Sequence, residues 1–300
     1  MTYQELKKRL QQRYSDGEAT AVARYLVEMK YGLSMADVAC GGVETLDNSA
    51  LADDVARLIE GEPVQYVVGE AEFCGRRFFV RPGVLIPRPE TEELCRWILE
   101  ENGVWGEECG ILDIGTGSGC IAVTLAAELP KAAVTAWDIS ETALAIAREN
   151  ADRLGIQVKF ENQDIIHYSL PNGEGGASFS LIVSNPPYVC RSEAEQMEAH
   201  VLEHEPHEAL FVPDDDALVF YRTICRFGQH ALLSGGWLYF EINPLYAEDL
   251  AALMSEMGYV DVETRQDQFG KTRMIRGTFS LSQKGRVKLA STLPWREKVG

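Results

Sequence analysis

The segment Asn185-Pro186-Pro187-Tyr188 follows a short apolar run and brings together an amide, two rigid rings and an aromatic ring. The nitrogen of an amide or an aromatic amine is a poor nucleophile because its lone pair is delocalised, so a site that methylates it must orient it and stabilise the developing positive charge. The side-chain oxygen of Asn185 and the backbone carbonyl of Pro186 can each accept one N–H of such a group. The prolines would fix this geometry, and Tyr188 would pack against the planar group. The alternative is an ordinary surface turn, since Asn and Pro are common turn residues.

A glycine-rich segment, Asp113-Ile-Gly-Thr-Gly-Ser-Gly119, precedes this tetrapeptide along the chain. Its glycines allow a tight turn and a close approach of backbone to ligand, and the helix predicted to follow offers N–H groups to a small carboxylate-bearing cofactor. The spacing is not Gly-x-Gly-x-x-Gly, and the tetrapeptide has no role in hydride transfer, so NAD is disfavoured. The residues predicted to bind the cofactor here are Asp113, Gly115, Thr116, Gly117, Ser118 and Gly119. Together, the loop and the tetrapeptide indicate methyl transfer to a planar nitrogen.

Polar residues end four successive predicted strands: Asp113, Asp138, Asp164 and Asn185. Because the carboxyl ends of parallel strands share one edge of a sheet, we expect these residues to line one ligand crevice. Asp113 is placed to receive the ammonium of a methionine moiety directly or through water. Asp138 is placed to accept from both ribose hydroxyls, and Asp164 to meet an adenine amino group. The alternatives are that Asp138 is a solvated loop residue and that Asp164 only caps a turn.

The hydrophobic pattern predicts the elements that position these residues. Residues 1–72 read as a small domain of amphipathic helices, residues 73–84 as a hairpin linker, and residues 85–280 as alternating strands and helices. The alternation predicts an α/β fold with a Rossmann-like, seven-stranded, mostly parallel sheet. Residues 281–300 read as a polar tail, and residues 171–176 as a glycine-rich loop.

Individual elements follow from apolar runs, caps and glycine stops. A helix capped by Thr91 is predicted to run through about Asn102. Strands are predicted at 111–114, 133–137, 157–161, 180–184, 237–242, 259–265 and 273–279, and helices at about 118–128, 141–154, 216–233 and 246–257.

The composition restricts the class of partner. The 300 residues include 28 Lys and Arg against 46 Asp and Glu, a formal net charge of −18. A protein that binds a polyanion gains most of its affinity from basic side chains, so a protein surface is a better candidate substrate than free DNA or RNA. No apolar stretch approaches the ~20 residues of a membrane span, and the N-terminal residues do not read as a secretory signal, so we expect a cytoplasmic protein without a membrane partner.

Neither the cysteines nor the histidines predict a metal site. The seven cysteines form no Cys-x-x-Cys pair and are odd in number, which also argues against a disulfide framework. The spacing of His200, His204 and His207 resembles that of metal ligands, but Pro206 interrupts the helical register. We therefore interpret these histidines as surface or loop residues.

At these motifs the chain closely resembles the HemK/PrmC family of release-factor glutamine methyltransferases, over nearly its whole length to about residue 280. The resemblance lies in residues 61–66, 69–73, 86–92, 113–119, 183–188 and 205–210. The segment Ile86-Pro-Arg-Pro-Glu-Thr-Glu92 distinguishes this family from other Asn-Pro-Pro-Tyr enzymes.

The resemblance implies S-adenosylmethionine as methyl donor and, as acceptor, the side-chain amide N5 of the glutamine in the Gly-Gly-Gln motif of peptide chain release factors. It implies that residues 115–119 hold the methionine part, Asp138 the ribose, Asp164 and Ile165 the adenine region, and residues 185–188 the glutamine. The N-terminal helical domain would dock the release factor.

Two other functions stay open at this point. Adenine N6 presents a similar planar amine after base flipping, so a nucleic-acid exocyclic-amine methyltransferase is the second hypothesis. The acidic charge and the lack of an obvious basic, aromatic-rich recognition domain disfavour it. A non-catalytic binding module is the third hypothesis, because a fold does not fix a function.

Overall fold

A computed structural model describes residues 1–101, 109–168 and 178–280. The predicted loop at 171–176 and the predicted tail at 281–300 lie outside these ranges. The chain divides into two compact units, each with its own apolar core. No helix within the described ranges has the length and apolar character needed to cross a lipid bilayer.

The first unit comprises Met1–Pro87 together with Glu193–His207. Its first two helices begin where the sequence supplies capping boxes: Thr2 and Ser15 accept the backbone N–H of Glu5 and Glu18, whose carboxylates accept the cap N–H in return. Its elements are α1 (Tyr3–Leu10), α2 (Asp16–Tyr25), a π-helical turn (Leu26–Lys30), α3 (Met35–Ala39), a 3-10 turn (Gly42–Thr45), α4 (Asn48–Glu60), α5 (Val64–Val68), β1 (Glu70–Phe73) and β2 (Arg76–Phe79).

The core of the first unit confirms two predicted amphipathic faces. Leu6 and Leu10 of α1 are fully buried in the same apolar cluster as Leu51, Val55 and Leu58 of α4. The hairpin predicted over 73–84 is formed by β1 and β2 and begins at Glu70. It turns at Cys74 and Gly75, which both have positive φ angles.

A buried carboxylate joins two distant segments of this unit. Glu205 is 3% exposed and accepts the backbone N–H of Ile86 at 3.0 Å. These residues belong to two of the segments on which the family resemblance rests, at 86–92 and 205–210. Two segments that lie far apart in the sequence are therefore joined in the fold by this hydrogen bond.

The second unit comprises Arg88–Ser192 and the chain from Glu208 onward. Helix α9 lies between its elements in the sequence but belongs to the first unit. In chain order the elements are α6 (Pro89–Glu100), β3 (Gly110–Ile114), α7 (Cys120–Glu128), β4 (Ala133–Asp138), α8 (Glu141–Leu154), β5 (Lys159–Asn162), β6 (Phe179–Ser184), β7 (Val189–Cys190), α9 (Ala199–His204), β8 (Phe211–Val212), α10 (Val219–Ala231), β9 (Leu232–Glu241), a 3-10 turn (Pro244–Tyr246), α11 (Ala247–Glu256), β10 (Tyr259–Gln266) and β11 (Thr272–Phe279).

The large sheet has seven strands within the described residues, in the order β10-β11-β9-β6-β3-β4-β5. The neighbouring strands from β9 to β5 are parallel, and β11 pairs antiparallel with both β9 and β10. This confirms the predicted mostly parallel sheet that ends in a hairpin. From β3 the chain moves outward through β4 and β5 and then returns to β6 on the other side of β3. The strand order thus reverses between β3 and β6, where such folds open a ligand crevice.

Two predicted boundaries in this unit are wrong. Strand β9 begins at Leu232 and includes Ser234-Gly-Gly236, whereas the sequence predicts a start at 237. The strand continues through these residues with Gly235 at a φ of 81°, and its register with β6 shifts there. Helix α6 begins at Pro89 after Arg88, so Thr91 is the third residue of its first turn and does not cap it.

Candidate active site at the carboxyl edge of the sheet

The glycine loop that joins β3 to α7 leaves room for a ligand. Gly115 and Gly117 have φ angles of 75° and 55°, a backbone conformation that strongly favours glycine. A Cβ atom at either position would meet nothing within 4 Å. At Gly119 a Cβ would lie 3.0 Å from the Cβ of Ala147, so this glycine permits close packing of α7 and α8. The first two glycines therefore face open space, whereas the third serves helix packing.

The other predicted loop residues present backbone groups to the crevice, and their side chains point away from it. Thr116 and Ser118 are 4% and 2% exposed, so their side chains do not reach the crevice surface. The N–H groups of Gly115 and Thr116 both donate to the carbonyl of Trp137, which ties the loop to the neighbouring strand β4. The loop is thus held as a backbone cradle at the start of α7, where a helix N-terminus favours a negatively charged group.

Asp113 lies beneath this loop. It is completely buried, and its Oδ2 accepts the hydroxyl proton of Thr116 at 2.6 Å. Burial, with a further contribution from the nearby Asp138 carboxylate, raises the pKa of Asp113 to about 7, although the bond from Thr116 opposes the rise. In this arrangement Asp113 supports the loop from below through its bond with Thr116. Its contact with a ligand ammonium, directly or through water, stays a prediction.

Asp138, at the end of β4, links the loop to the following helix. Its Oδ2 accepts the N–H of Gly117 at 2.8 Å, and its Oδ1 accepts the N–H of Ser140 at 2.9 Å. Burial raises the pKa of this carboxyl group, and the backbone N–H bonds oppose the rise. The adjacent Ile139 is 61% exposed, so an apolar side chain stands in solvent beside the half-buried carboxylate. A polar acceptor and an apolar surface thus adjoin each other next to the loop.

Asp164 forms local bonds. Its Oδ1 accepts the N–H of Ile166 at 2.9 Å, and its Oδ2 lies 2.6 Å from Nδ1 of His167. Burial acts to raise the pKa of Asp164, but the bonds from His167 and from the backbone outweigh it and lower the pKa. Ile165 is 8% exposed and belongs to the apolar core beneath the sheet edge. This arrangement matches the turn-capping alternative for Asp164.

The tetrapeptide after β6 is fixed at both ends. Ser184 donates to the carbonyl of Ile114 at 2.6 Å, which joins the end of β6 to the end of β3. The backbone N–H of Tyr188 donates to the carbonyl of Leu210 at 3.2 Å, and its carbonyl accepts from Nδ2 of Asn243 at 3.2 Å. Pro186 is buried and Asn185 is half-buried. The tetrapeptide is therefore held rigidly at the strand-order reversal, beside the glycine loop.

A buried carboxylate stands behind the tetrapeptide. Glu241, the last residue of β9, is 1% exposed and accepts the hydroxyl protons of Thr91 at 2.5 Å and of Tyr188 at 3.0 Å. Nδ2 of Asn185 in turn donates to the hydroxyl oxygen of Thr91 at 3.3 Å. Burial raises the pKa of both Glu241 and Tyr188. The tyrosine therefore keeps its proton and acts as a donor to the carboxylate.

The structure thus brings together most of the predicted residues and adds three that sequence reasoning missed. Ile139 was missed although an apolar residue directly after a strand-end aspartate is a readable signal. Thr91 was read as a helix cap, and Glu241 was not singled out although it ends an apolar strand. Asp164 is bonded to residues 166 and 167, and Ile165 lies in the apolar core of the second unit.

The cysteines are free thiols, and His200 and His207 contact neighbouring residues. Each of the seven cysteines lies in the described ranges and has a free thiol, and five of them are buried. In the part of the chain that the structure describes, no three His, Cys, Asp or Glu side chains are grouped to hold a metal ion. His207 bonds to the carbonyl of Leu202 at 2.8 Å, and His200 lies 3.2 Å from the carboxylate of Glu198.

Two protein-family models match this chain. The family model described as PrmC N-terminal domain matches residues 2–69, and the one described as Methyltransferase small domain matches residues 98–213. In fold, the chain is similar to a solved structure of a T. thermophilus 16S rRNA N2 G1207 methyltransferase in complex with AdoMet and guanosine. That likeness has a TM-score of 0.51 at 18% identity, and it covers 70% of this chain and 49% of the other.

Curated relatives match nearly the whole chain. A release factor glutamine methyltransferase from Bacteroides thetaiotaomicron is 46% identical over 273 residues, which cover 90% of this chain and 96% of the relative. A release factor glutamine methyltransferase from Flavobacterium psychrophilum is 39% identical over 271 residues, which cover 89% of this chain and 94% of that relative. The chain therefore belongs to the family of release factor glutamine methyltransferases.

Proposed function

We propose that the protein transfers a methyl group from S-adenosylmethionine to the side-chain amide N5 of the glutamine in the Gly-Gly-Gln motif of peptide chain release factors. The observation that carries the proposal is the orientation of Asn185: its nitrogen is bonded to Thr91, so its oxygen is the end left to meet an acceptor N–H. Family membership supplies the class of acceptor. Such a substrate also agrees with the expected cytoplasmic location.

The crevice beside the loop fits S-adenosylmethionine. Open space faces Gly115 and Gly117, the N-terminus of α7 favours a carboxylate, and Asp138 offers carboxylate lone pairs to ribose hydroxyls. The exposed side chain of Ile139 offers an apolar surface to an adenine ring. When bound, the cofactor supplies an electrophilic methyl group on its sulfonium centre. We assign Asp113 to the support of the site, through the loop above it, and Asp164 to the capping of the turn that follows it.

The acceptor side of the site orients a planar NH₂ group. Oδ1 of Asn185 and the carbonyl of Pro186 would each accept one N–H, which directs the nitrogen lone pair out of the amide plane towards the methyl group. As positive charge develops on the nitrogen, both acceptors become stronger partners and stabilise the transition state. Pro187 keeps the turn rigid, and the ring of Tyr188, anchored through its hydroxyl to Glu241, would pack against the amide.

The remaining parts of the chain are assigned by the same proposal. The helical domain at 1–72 docks the release factor, the hairpin region at 73–84 links it to the catalytic domain, and residues 85–280 form that domain. The formal net charge of −18 favours a protein acceptor over a free nucleic acid.

The experiment is transfer of a labelled methyl group from S-adenosylmethionine to three acceptors. These are a purified release factor, the same factor with the Gly-Gly-Gln glutamine replaced, and duplex DNA. We expect label on the intact factor alone. Label on DNA, or equal label on both factors, would contradict the assigned acceptor, and an absence of label on all three would contradict the enzyme itself.

A further inference from the structure

Thr91 and Glu241 form a hydrogen-bonded chain with Asn185 that has only one possible direction while Glu241 is ionised. Glu241 is buried at the end of β9 and takes the hydroxyl proton of Thr91 at 2.5 Å. An ionised carboxylate only accepts hydrogen bonds, and a threonine hydroxyl has a single proton to give. Because that proton is directed to Glu241, the hydroxyl oxygen can only accept from the side chain on its other side.

That other side chain is Asn185. An asparagine amide has a donor end and an acceptor end of nearly equal size, so packing alone does not choose between its two orientations. The hydroxyl of Thr91 makes the choice, because only the NH₂ end of Asn185 can donate to it, as it does at 3.3 Å. The carboxylate of Glu241 thus dictates, through Thr91, which end of Asn185 faces away from the helix.

We infer that Thr91 and Glu241 are positioning residues that hold the amide oxygen of Asn185 towards the acceptor nitrogen. This inference rests on the proposed function, since it concerns the methylation of a planar NH₂ group. With the opposite orientation, Asn185 would present N–H groups to the N–H groups of the acceptor, and the site would lose one of its two acceptors. Neither Thr91 nor Glu241 needs to touch the substrate for this effect.

A purely structural role for Thr91 makes a different prediction. The helix begins at Pro89 and its N-cap is Arg88, so the Thr91 hydroxyl does not cap α6. If the hydroxyl served only to solvate the buried Glu241 carboxylate, its loss would lower stability and leave turnover unchanged. If it orients Asn185, its loss lowers the turnover number at saturating substrate, and the affinity for S-adenosylmethionine stays the same.

The test compares Thr91→Val, Thr91→Ser and a matched control, Thr124→Val. Valine has the shape of threonine without the hydroxyl, and serine restores the hydroxyl. Thr124 in α7 is completely buried, and its hydroxyl has no hydrogen-bond partner among the described residues, so the control makes the same chemical change without breaking a bond. Each variant is assayed for kcat, for KM of the acceptor, for Kd of S-adenosylmethionine by calorimetry and for Tm.

We expect Thr91→Val to lower kcat by roughly 10- to 100-fold, since loss of one oriented group at a transition state costs on this order. Kd for S-adenosylmethionine should stay within about twofold, and Thr91→Ser and Thr124→Val should keep kcat within about threefold. The inference is overturned if Thr91→Val keeps the wild-type kcat, or if Thr91→Ser is as slow as Thr91→Val.

The outcome for this inference is separable from that for the proposed function. The wild-type enzyme is first assayed on the release factor and on duplex DNA, and the variants are compared on the substrate that it methylates. Turnover on DNA alone contradicts the release-factor assignment, yet the comparison of valine with serine still decides the role of Thr91. Glu241→Gln is a second variant. The NH₂ group of the glutamine can donate to the hydroxyl oxygen of Thr91, and the threonine proton is then free to turn towards Asn185. We therefore expect this variant to lower kcat as well.

Discussion

The backbone N–H of Gly117 donates to Oδ2 of Asp138 at 2.8 Å. The carboxylate assigned to the ribose is therefore also a support for the loop assigned to the methionine part of the cofactor. Because Oδ1 of the same carboxylate accepts the N–H of Ser140, one side chain joins the loop, the end of β4 and the start of α8. Removal of this carboxylate should disturb the cofactor site in two ways, through the lost ribose contact and through the released loop.

Asp138→Ala should weaken S-adenosylmethionine binding by roughly 10- to 100-fold, the range expected when a charged acceptor loses its hydrogen bonds. The measurement is the Kd for S-adenosylmethionine by calorimetry. The matched control is Asp164→Ala: the oxygens of Asp164 are bonded to residues 166 and 167, so we expect its effect on Kd to stay below about threefold. Equal losses in the two variants would contradict the different roles assigned here.

Asn185→Ala should have the opposite effect to Asp138→Ala: turnover should fall, and cofactor binding should stay nearly unchanged. The side chain belongs to the acceptor side of the site, so we expect Kd for S-adenosylmethionine within about threefold of wild type and a fall in kcat of at least about 100-fold. The measurements are calorimetry and methyl transfer at saturating cofactor. A variant that loses affinity for the cofactor as strongly as it loses turnover would show that Asn185 serves the cofactor instead.

Much of the fold was predictable because its signals are local. The central strands are short apolar runs closed by turn residues. Helix α8 has the predicted bounds, 141–154, because Ser140 caps its start and Gly155 ends it. The start of β9 was not predictable, since Gly235 and Gly236 are typical of a turn but here sit in an irregular strand. Glycine permits both structures, and pairing with neighbouring strands decides between them.

The site residues that lie at the ends of strands could be predicted from the sequence. Asp138 and Asn185 end parallel strands, and topology brings such ends to one edge. The support behind Asn185 was not predictable, because Thr91 lies 94 residues from Asn185 and 150 residues from Glu241 in the sequence. A threonine in a first helical turn reads as a cap, and only the tertiary structure shows that its hydroxyl is bonded elsewhere.

The charges around Glu241 define a dependence of turnover on pH. Burial raises the pKa of Glu241, the bonds from Thr91 and Tyr188 oppose the rise, Glu90 adds to it and Arg273 opposes it. The net effect is a pKa above the ordinary value for glutamate. Protonation of Glu241 therefore begins at a higher pH than for an exposed glutamate.

We expect kcat to fall as the pH is lowered through the raised pKa of Glu241. A protonated Glu241 can donate to Thr91, whose own proton is then free to turn towards Asn185 and reverse its orientation. The measurement is kcat at saturating concentrations of both substrates across the acidic to neutral range. In Glu241→Gln this acidic limb should be absent, because no proton is taken up at that position. An unchanged limb in this variant would assign the dependence to another group.

The raised pKa of Asp113 predicts how the stability of the folded protein depends on pH. Its pKa is raised in the folded protein from 3.8 to about 7, so folding is favoured when the group is protonated. The stabilisation is fully present below the pKa of the unfolded chain and is lost as the pH rises through the folded value. Above that value the buried carboxylate costs at most roughly 4 kcal/mol, on the basis of about 1.4 kcal/mol for each pH unit between the two pKa values.

Asp113→Asn tests this sign because asparagine resembles the protonated acid: it keeps an oxygen for the hydroxyl of Thr116 and carries no charge. We expect the Tm of the variant relative to wild type to be highest above about pH 7 and to fall steadily as the pH is lowered from about 7 towards 4, because only the folded wild-type protein binds a proton at Asp113 in that interval. Thermal unfolding of both proteins across this range is the measurement. A difference in Tm that stays constant with pH would mean that Asp113 does not change its protonation between these values, which would contradict a raised pKa in the folded protein.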